Sequence, residues 1–469
     1  MKPEKKQGLP KAFLMALMKV FHYTTSVMAF IAVWWFMYSG HGLENYQPNA
    51  DYLVYFVYCI SLYCLFRIYD VYNIGYARTT DNVFGQVLSD VISAGIIYVM
   101  MSILSGAILN PLALLGLGVF QGIWNIAWSK LTKEVYYKFY KRKRTVVVYR
   151  NRDDLQRVEE MRYLTRKFKI EKLVHNTHDD FRSLEPELEG FDTIIVAGVE
   201  ASLRNGIAKY CIEKNVRGYF APHVGDIIMQ GAHHISSFRV PIMSVRRAFK
   251  NPFYLILKRV FDIVISILAI VILSPVYLIT ALAIKLYDRG PVLYKQVRLT
   301  RDGKQFKVLK FRSMKVDAEK DGVARLAAEN DSRITPVGKF IRSCRLDELP
   351  QFFNILAGDM SIVGPRPERP EIAEQYEEEM PAFSLRLQVK AGLTGFAQVY
   401  GKYNTTPYDK LQMDLMYVNK MSVTEDLRLI FATMRAIFMP ESTEGIDKSA
   451  TTAMKVSGKS TAEGNEVQL

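Results

Sequence analysis

Cysteine is scarce in this chain. Its 469 residues hold four, Cys59, Cys64, Cys211 and Cys344, none paired at metal-ligand spacing and two of them inside an apolar run. Neither a disulfide framework nor a zinc site is expected, which suits a reducing cytosol. The chain also lacks a Walker loop, a His-Glu-x-x-His helix and a Gly-x-Ser-x-Gly elbow. Those absences remove P-loop, zincin and serine-hydrolase chemistry. No Asp-x-Asp metal site precedes a suitable strand, which argues against a processive glycosyltransferase. His233-His234 has no carboxylate or cysteine at useful spacing and reads as structural, and no internal repeat is present.

Acidic residues are outnumbered, 47 against 61 Lys and Arg, for a net charge of +14. Such an excess serves nucleic acid, anionic lipid or phosphorylated substrates, according to where it lies. Here it lies mostly beside apolar segments, so a nucleic-acid partner is not expected. Apolar residues reach 49% while charge is still 23%, so hydrophobic blocks alternate with soluble ones. Four apolar stretches open the chain, roughly Phe13 to Tyr38, Tyr52 to Ile68, Val83 to Leu109 and Leu112 to Trp128, each near bilayer length. The loop from Ser39 to Asp51 has no Lys or Arg, whereas Lys2, Lys5, Lys6 and Lys11 precede the first stretch. Arg67 and Arg78 follow the second, and Lys130, Lys133, Lys138 and the run Lys141 to Arg144 follow the fourth. Basic loops stay in the cytoplasm, which assigns the N-terminus and everything after the fourth span to that side. The first stretch is long and lacks a small-residue cleavage site, so no cleaved signal peptide is expected.

From about Arg144 to Arg247 short apolar runs alternate with helical patterns: Thr145 to Tyr149, a helix from Asp153, then Leu173 to His175, Thr193 to Val196 and Arg217 to Phe220. This order predicts a parallel, Rossmann-like sheet. After the first strand comes Arg150-Asn151-Arg152, where a dinucleotide loop needs glycines, so a structural or regulatory role is expected instead. The apolar run from Val260 to Leu286 carries Ser274-Pro275 near its middle, and a proline there removes a helix hydrogen bond and bends the chain. Lys258 and Arg259 before it and Lys285 and Arg289 after it suit a hairpin that returns to the same membrane face. Asp262, costly in lipid, is expected to pair with Lys258 or Arg259.

The dense motifs follow Gly290. Ser343 to Gly358 reads as one helix with Pro350 in its first turn, which sets Asp347 and Glu348 at a helix N-terminus. Free amides and the macrodipole favour anions there. Arg333, Lys339, Arg342 and Arg345 crowd just upstream, a density of cations suited to a polyanion. In Ser361-Ile-Val-Gly-Pro-Arg-Pro367 two prolines stiffen the loop around Arg366, a guanidinium fit for phosphate or a base carbonyl. Lys307 to Met314 alternates like a strand and aligns Lys310 with Arg312 on one face. Glu377-Glu-Glu379 reads as a solvated helix face, and the tail from Glu441 to Leu469 as disordered.

These residues resemble the bacterial sugar transferases, in particular the large monotopic polyprenyl-phosphate phosphoglycosyl transferases, which include undecaprenyl-phosphate galactose and glucose phosphotransferases. The likeness runs in order through Lys258-Arg-Val-Phe-Asp262, Ser274-Pro275, Gly290 to Arg298, Lys310 to Met314, Leu346 to Gln351, Val363 to Pro367 and Gly392 to Val399. It implies that Asp347 is a nucleophile attacking the sugar-bearing phosphorus of a UDP-sugar. A phosphosugar-aspartyl intermediate forms, UMP leaves, and polyprenyl phosphate attacks in turn. It further implies that Glu348 binds Mg²⁺, that Arg342 meets phosphate and Arg366 the uridine end, and that Asp414 and Asp426 support the site. The Ser274-Pro275 helix is re-entrant in this family. The chain has Lys402 where several members of the family have Arg, which keeps the charge but loses the bidentate fork.

The expected architecture is a multidomain membrane protein. It has a four-helix transmembrane bundle (1–143), a Rossmann-like α/β cytoplasmic domain (144–248) and an α/β catalytic domain with a re-entrant membrane helix at about 258–286 (249–439). A disordered tail (440–469) ends it. The expected reaction moves a hexose-1-phosphate from UDP-glucose or UDP-galactose to undecaprenyl phosphate, the first membrane step of exopolysaccharide, capsule or O-antigen synthesis. The substrate-contacting set is Lys310, Arg312, Arg333, Arg342, Arg366, Lys402, Asp414 and Asp426. Expected partners are the two substrates, membrane lipid and a second copy of the chain, at the cytoplasmic face of a bacterial inner membrane.

Overall fold

The computed structural model describes residues 8–39, 50–75, 78–152, 154–155, 158, 167–176, 180–235, 242–247, 251–316, 331, 333–401 and 405–437. Lys402, the tail from 440 and most of the helix expected from Asp153 lie outside the described residues. The chain divides into two compact units at Pro222/His223.

The first unit opens with four helices, α1 (Gly8–Met37), α2 (Ala50–Ile68), α3 (Thr79–Ser105) and α4 (Leu112–Phe139). All four are long and apolar enough to cross a membrane, which makes this a membrane protein. The third stops short of Leu109 because Gly106 adopts the left-handed conformation (φ 67°) that ends a helix without a Cβ clash. The fourth runs eleven residues past Trp128, carrying Lys130, Lys133 and Lys138 on its last turns. Apolar side chains cover the outside of the bundle as well as its interior, and polar ones are buried within it. Phe36, Ile103 and Leu112 face outward while His22, Gln86 and Asn125 are fully buried. Between helices in lipid no hydrophobic drive exists, and polar contacts and packing hold the bundle instead.

A parallel four-stranded sheet follows, in the order β2 (Phe168–His175), β1 (Lys143–Tyr149), β3 (Thr193–Ala197), β4 (Arg217–Phe220). Val146 and Val148 of β1 pack on Leu184 and Leu188 of α5 (Phe181–Leu188) and on Leu203 and Ile207 of α6 (Ala201–Glu213). Val147, one residue out of phase, joins Val158 and Phe168 on the other side. Continuous burial of both faces is what the unbroken apolar runs at 145–149 and 193–196 require.

Residues 223–230, grouped on sequence with this sheet, pack with the second unit. Ile227 of α7 (Val224–Gln230) joins Leu411 and Leu415 of α14 (Pro407–Lys420), and Asn419 donates to the Ile227 carbonyl at 2.6 Å. A short hairpin, β5 (His233–Ile235) with β6 (Ile242–Ser244), comes next. The apolar run around Ser274-Pro275 forms two helices, α8 (Pro252–Ile272) and α9 (Ser274–Asp288), bent by 61°. An antiparallel ribbon, β7 (Leu293–Leu299) and β8 (Gln305–Phe311), follows. Beyond it come α10 (Pro336–Ser343), α11 (Gln351–Ala357), β9 (Ser361–Val363), α12 (Pro370–Glu379) and β10 (Gly392–Thr394), with β9 and β10 parallel. Helices α13 (Phe396–Tyr400), α14 and α15 (Val423–Ile437) complete the unit. Its core gathers Val308, Ile355, Ile362, Val363, Tyr417 and Leu429. Gly364 and Gly392 sit so close that a Cβ on Gly392 would lie 2.1 Å from the Gly364 nitrogen.

Candidate active site

Ser343 to Gly358 is not one helix. α10 ends at Ser343, Arg345 turns left-handed (φ 57°, ψ 17°), and Leu346–Glu348 form a single 3₁₀ turn ahead of α11. Pro350 explains the tightening. It has no N–H to give an i−4 carbonyl, and the Leu349, Phe352 and Phe353 amides bond three residues back at 3.0–3.2 Å. A non-glycine residue held left-handed stores strain of order 1–3 kcal/mol, and this one stands two positions before Asp347.

Three elements place the charges. Lys310 of β8 donates to Glu348 Oε1 at 2.9 Å, and Arg366, on the Pro-Arg-Pro loop after β9, donates to the same oxygen at 2.9 Å. Asn354 of α11 fixes the register between helix and ribbon. Its amide accepts from the Leu309 N–H and donates to the Lys307 carbonyl, each at 2.9 Å, filling the place of a neighbouring strand. Sequence reading missed Asn354. Its signal was an amide on the helix carrying the carboxylates, facing a strand edge that needs partners. Tyr277 of α9 donates to the Leu349 carbonyl at 2.6 Å and so ties the turn to the bent helix pair.

Buried side by side, the two carboxylates diverge electrostatically. Burial and the neighbouring Glu348 charge raise the Asp347 carboxyl above its ordinary value, against the pull of Lys310, Arg342 and Arg345. For Glu348, burial works upward too, yet Arg366, Lys310 and Arg345 together hold it well below the usual carboxylate range. Asp347 is thus the more basic oxygen and Glu348 the fixed anion, a division that environment alone creates.

Behind Arg366 stands a second set of residues. Arg386, buried, donates through Nη2 to the Arg366 carbonyl at 2.9 Å and through Nε to Asp414 Oδ2 at 2.8 Å. Arg298 donates to the Pro367 carbonyl at 3.1 Å. Asp414 therefore acts on the loop through Arg386, a residue sequence reading did not single out. Asp426 sits with α8, accepting from Lys258 at 2.9 Å and from the hydroxyls of Tyr254 and Tyr417 at 2.8 Å each.

Other predicted residues take different places. Arg312 turns to Asp288 at the end of α9, its guanidinium lying where a Cβ on Gly290 would meet it. Arg333 grips Asp331, with Nη2 to Oδ2 at 2.6 Å. Arg342 acts electrostatically on both Asp347 and Asp331. Among the described residues Asp262 makes no direct hydrogen bond to Lys258 or Arg259, although the Lys258 charge acts on it. It accepts the Ile362 N–H at 3.0 Å, while Lys258 goes to Asp426 and Arg259 to the Ile355 and Leu356 carbonyls at 2.6 and 2.8 Å. Those carbonyls are the free end of α11, where a cation is favoured. Ser274 and Pro275 sit at the bend, with the Ser274 hydroxyl on the Val271 carbonyl at 2.7 Å. Among the described residues no cluster of three His, Cys, Asp or Glu forms a protein-only metal cage. A cleft of about 710 Å³ lined by Leu299, Glu374, Leu385 and Arg247 does not include Asp347.

The family described as "Bacterial sugar transferase" matches residues 253–440, the stretch that holds Asp347, Glu348, Lys310 and Arg366. An "Exopolysaccharide production protein PSS" of Rhizobium leguminosarum bv. phaseoli is 42% identical over 189 residues, 38% of this chain but 94% of that protein. The chain belongs to the bacterial sugar transferase family. Larger relatives align as well. A UDP-glucose:undecaprenyl-phosphate glucose-1-phosphate transferase of Klebsiella pneumoniae is 43% identical over 208 residues, 43% of this chain and 44% of that protein. A UDP-N-acetylgalactosamine-undecaprenyl-phosphate N-acetylgalactosaminephosphotransferase of Aeromonas hydrophila is 42% identical over 190 residues, covering 40% and 45%. The chain thus aligns with under half the length of these larger family members.

Proposed function

We propose that this chain transfers a sugar 1-phosphate from a UDP-sugar to undecaprenyl phosphate at the cytoplasmic face of a bacterial inner membrane. One observation carries the reading. Lys310 and Arg366 converge on one oxygen of Glu348, directly beside a buried Asp347 whose carboxyl is pushed up. An Asp347 oxygen attacks the sugar-bearing phosphorus, and the bond from that phosphorus to the bridging oxygen breaks. UMP departs with the bonding pair. The resulting phosphosugar-aspartyl group is attacked at the same phosphorus by an oxygen of undecaprenyl phosphate, which frees the Asp347 carboxylate. Two in-line phosphoryl transfers let a single cramped site serve two bulky substrates in turn.

Lys310, Arg366, Arg342 and Arg345 offset the charge that builds on the diphosphate. Mg²⁺ characteristically takes one or two carboxylates and completes its shell with water and phosphate oxygens, so Asp347-Glu348 without a third acidic group fits that ion. Glu348 would hold it, and it would neutralise diphosphate charge. The relatives' names span glucose and N-acetylgalactosamine, and UDP-glucose or UDP-galactose is the reading carried here.

On the same reading α8 and α9 enter and leave one membrane face. In support, Lys258 and Arg259 of α8 and Tyr277 and Asp288 of α9 are all tied to the one α/β unit, while Val271, Ile272, Leu278 and Ile279 flank the bend exposed. The parallel sheet of the first unit is read as a Rossmann-like regulatory domain. The deciding experiment incubates the pure protein with Mg²⁺, undecaprenyl phosphate and a panel of UDP-sugars and follows UMP. No release from any sugar sinks the proposal.

A further inference from the structure

The helices α1–α4 enclose a ladder of polar side chains that sugar-phosphate transfer does not use. His22, Gln86, Asp90, Ser93, Gln121 and Asn125 are each at most 1% exposed. Hydrogen bonds set their levels. Ser129 Oγ reaches Gln86 Oε1 at 3.0 Å, and Asn125 Nδ2 reaches Asp90 Oδ2 at 2.7 Å. One turn further, Gln121 meets the Ser26 carbonyl at 3.2 Å and the Tyr58 hydroxyl at 3.0 Å. α1 joins the middle level through His22 Nε2 and Asn125 Oδ1 at 2.9 Å. Since α3 and α4 run antiparallel, Ser93 falls at the level of Gln121.

Asp90 is the anomaly. Among the described residues no Lys or Arg pairs with it, and its second oxygen, Oδ1, is buried without a hydrogen-bond partner, as are Ser93 Oγ and Ser26 Oγ. A bare carboxylate in the middle of a membrane helix is costly enough that something must neutralise it. We propose that Asp90, with the Ser93 and Ser26 hydroxyls, holds an exchangeable monovalent cation, a proton or a sodium ion, inside the bundle. Carboxylate and hydroxyl oxygens are hard donors suited to such an ion and poor ones for soft metals. The titratable groups facing Asp90 are Tyr58 of α2, Tyr72 of the turn after it and, beyond Asn125, His22 of α1. At these levels α4 contributes the neutral Gln121 and Asn125 amides and the Ser129 hydroxyl.

The molecule supplies its own probe. All four tryptophans, Trp34, Trp35, Trp124 and Trp128, lie in α1 and α4, and the His22 ring stacks on Trp128 at 4.1 Å. The full chain in lipid nanodiscs is titrated with NaCl against choline chloride at constant ionic strength. A second titration runs from pH 8 to pH 5 in choline alone, and tryptophan emission is read in both, with no need for turnover. A saturable sodium response that acid displaces identifies sodium; a response to pH alone identifies the proton. Asp90→Asn should abolish either response, and Ser93→Ala should weaken a sodium response about tenfold, the equivalent of one lost polar contact. Helical circular dichroism checks that both variants fold. Flat emission in both titrations overturns the proposal, as does a response unchanged in folded Asp90→Asn. Should Asp90→Asn fail to fold, an undiminished sodium response in Ser93→Ala overturns it too.

Discussion

Asp347 and Glu348 are neighbours in sequence with opposite electrostatic fates, and substitution should separate them. On the proposed mechanism, Asp347→Asn keeps the shape but removes the attacking carboxylate, so UMP release should fall by at least about 10⁴-fold, in line with loss of other covalent nucleophiles. The depressed Glu348 carboxyl gives a pH prediction. A group whose folded pKa lies below its unfolded value adds stability that is complete above the unfolded value, about 4.3 for glutamate, and is lost as pH falls through the folded value. Arg366 heads the interactions that hold Glu348 down. Arg366→Gln should therefore raise the folded pKa toward the ordinary glutamate value and shrink the stability lost on acidification, so that the acid limb becomes shallower. Thermal unfolding measured from pH 3 to pH 6 checks the direction, and an unchanged acid slope would refute Arg366 as the controlling cation.

At the scale of elements, the site depends on how β8 lies against α11. Asn354 makes that junction by bonding both a donor and an acceptor of the strand edge. Asn354→Ala leaves the Leu309 N–H and the Lys307 carbonyl unpartnered, at a cost of about 3 kcal/mol for the two groups together. Beyond lower thermal stability, the Lys310–Glu348 contact three residues along the strand should loosen, so turnover should drop more steeply than substrate affinity. Steady-state UMP release and calorimetry on one sample would test both. α8 and α9 show the same dependence on distant partners. Ser274-Pro275 announces the bend, but the pair is fastened by Asp426, Ile355, Leu349 and Arg312, all distant in sequence.

For the whole molecule, the family match at residues 253–440 lies in the second unit, and the chain covers 94% of a Rhizobium relative's length, so on the proposed function that unit should suffice for the reaction. The packing of Ile227 on Leu411 and Leu415 decides where a shortened chain must begin. A chain starting at His223 should release UMP at close to the full rate, whereas one starting at Asn251 bares that cluster and should unfold several degrees lower. Equal melting of the two would contradict the role given to α7. The sequence by itself determined what local composition and close spacing control: four spans with basic flanks, a parallel α/β stretch, a proline bend, and a carboxylate pair among cations in family order. Only the tertiary structure decided that Lys310 and Arg366, 38 and 18 positions from Glu348, meet on one of its oxygens. It alone broke the helix at Arg345, gave Asp262 a backbone partner and buried Asp90 against the Asn125 amide with its other oxygen unpartnered. Burial and long-range pairing depend on which surfaces close over a residue, and no local pattern encodes that.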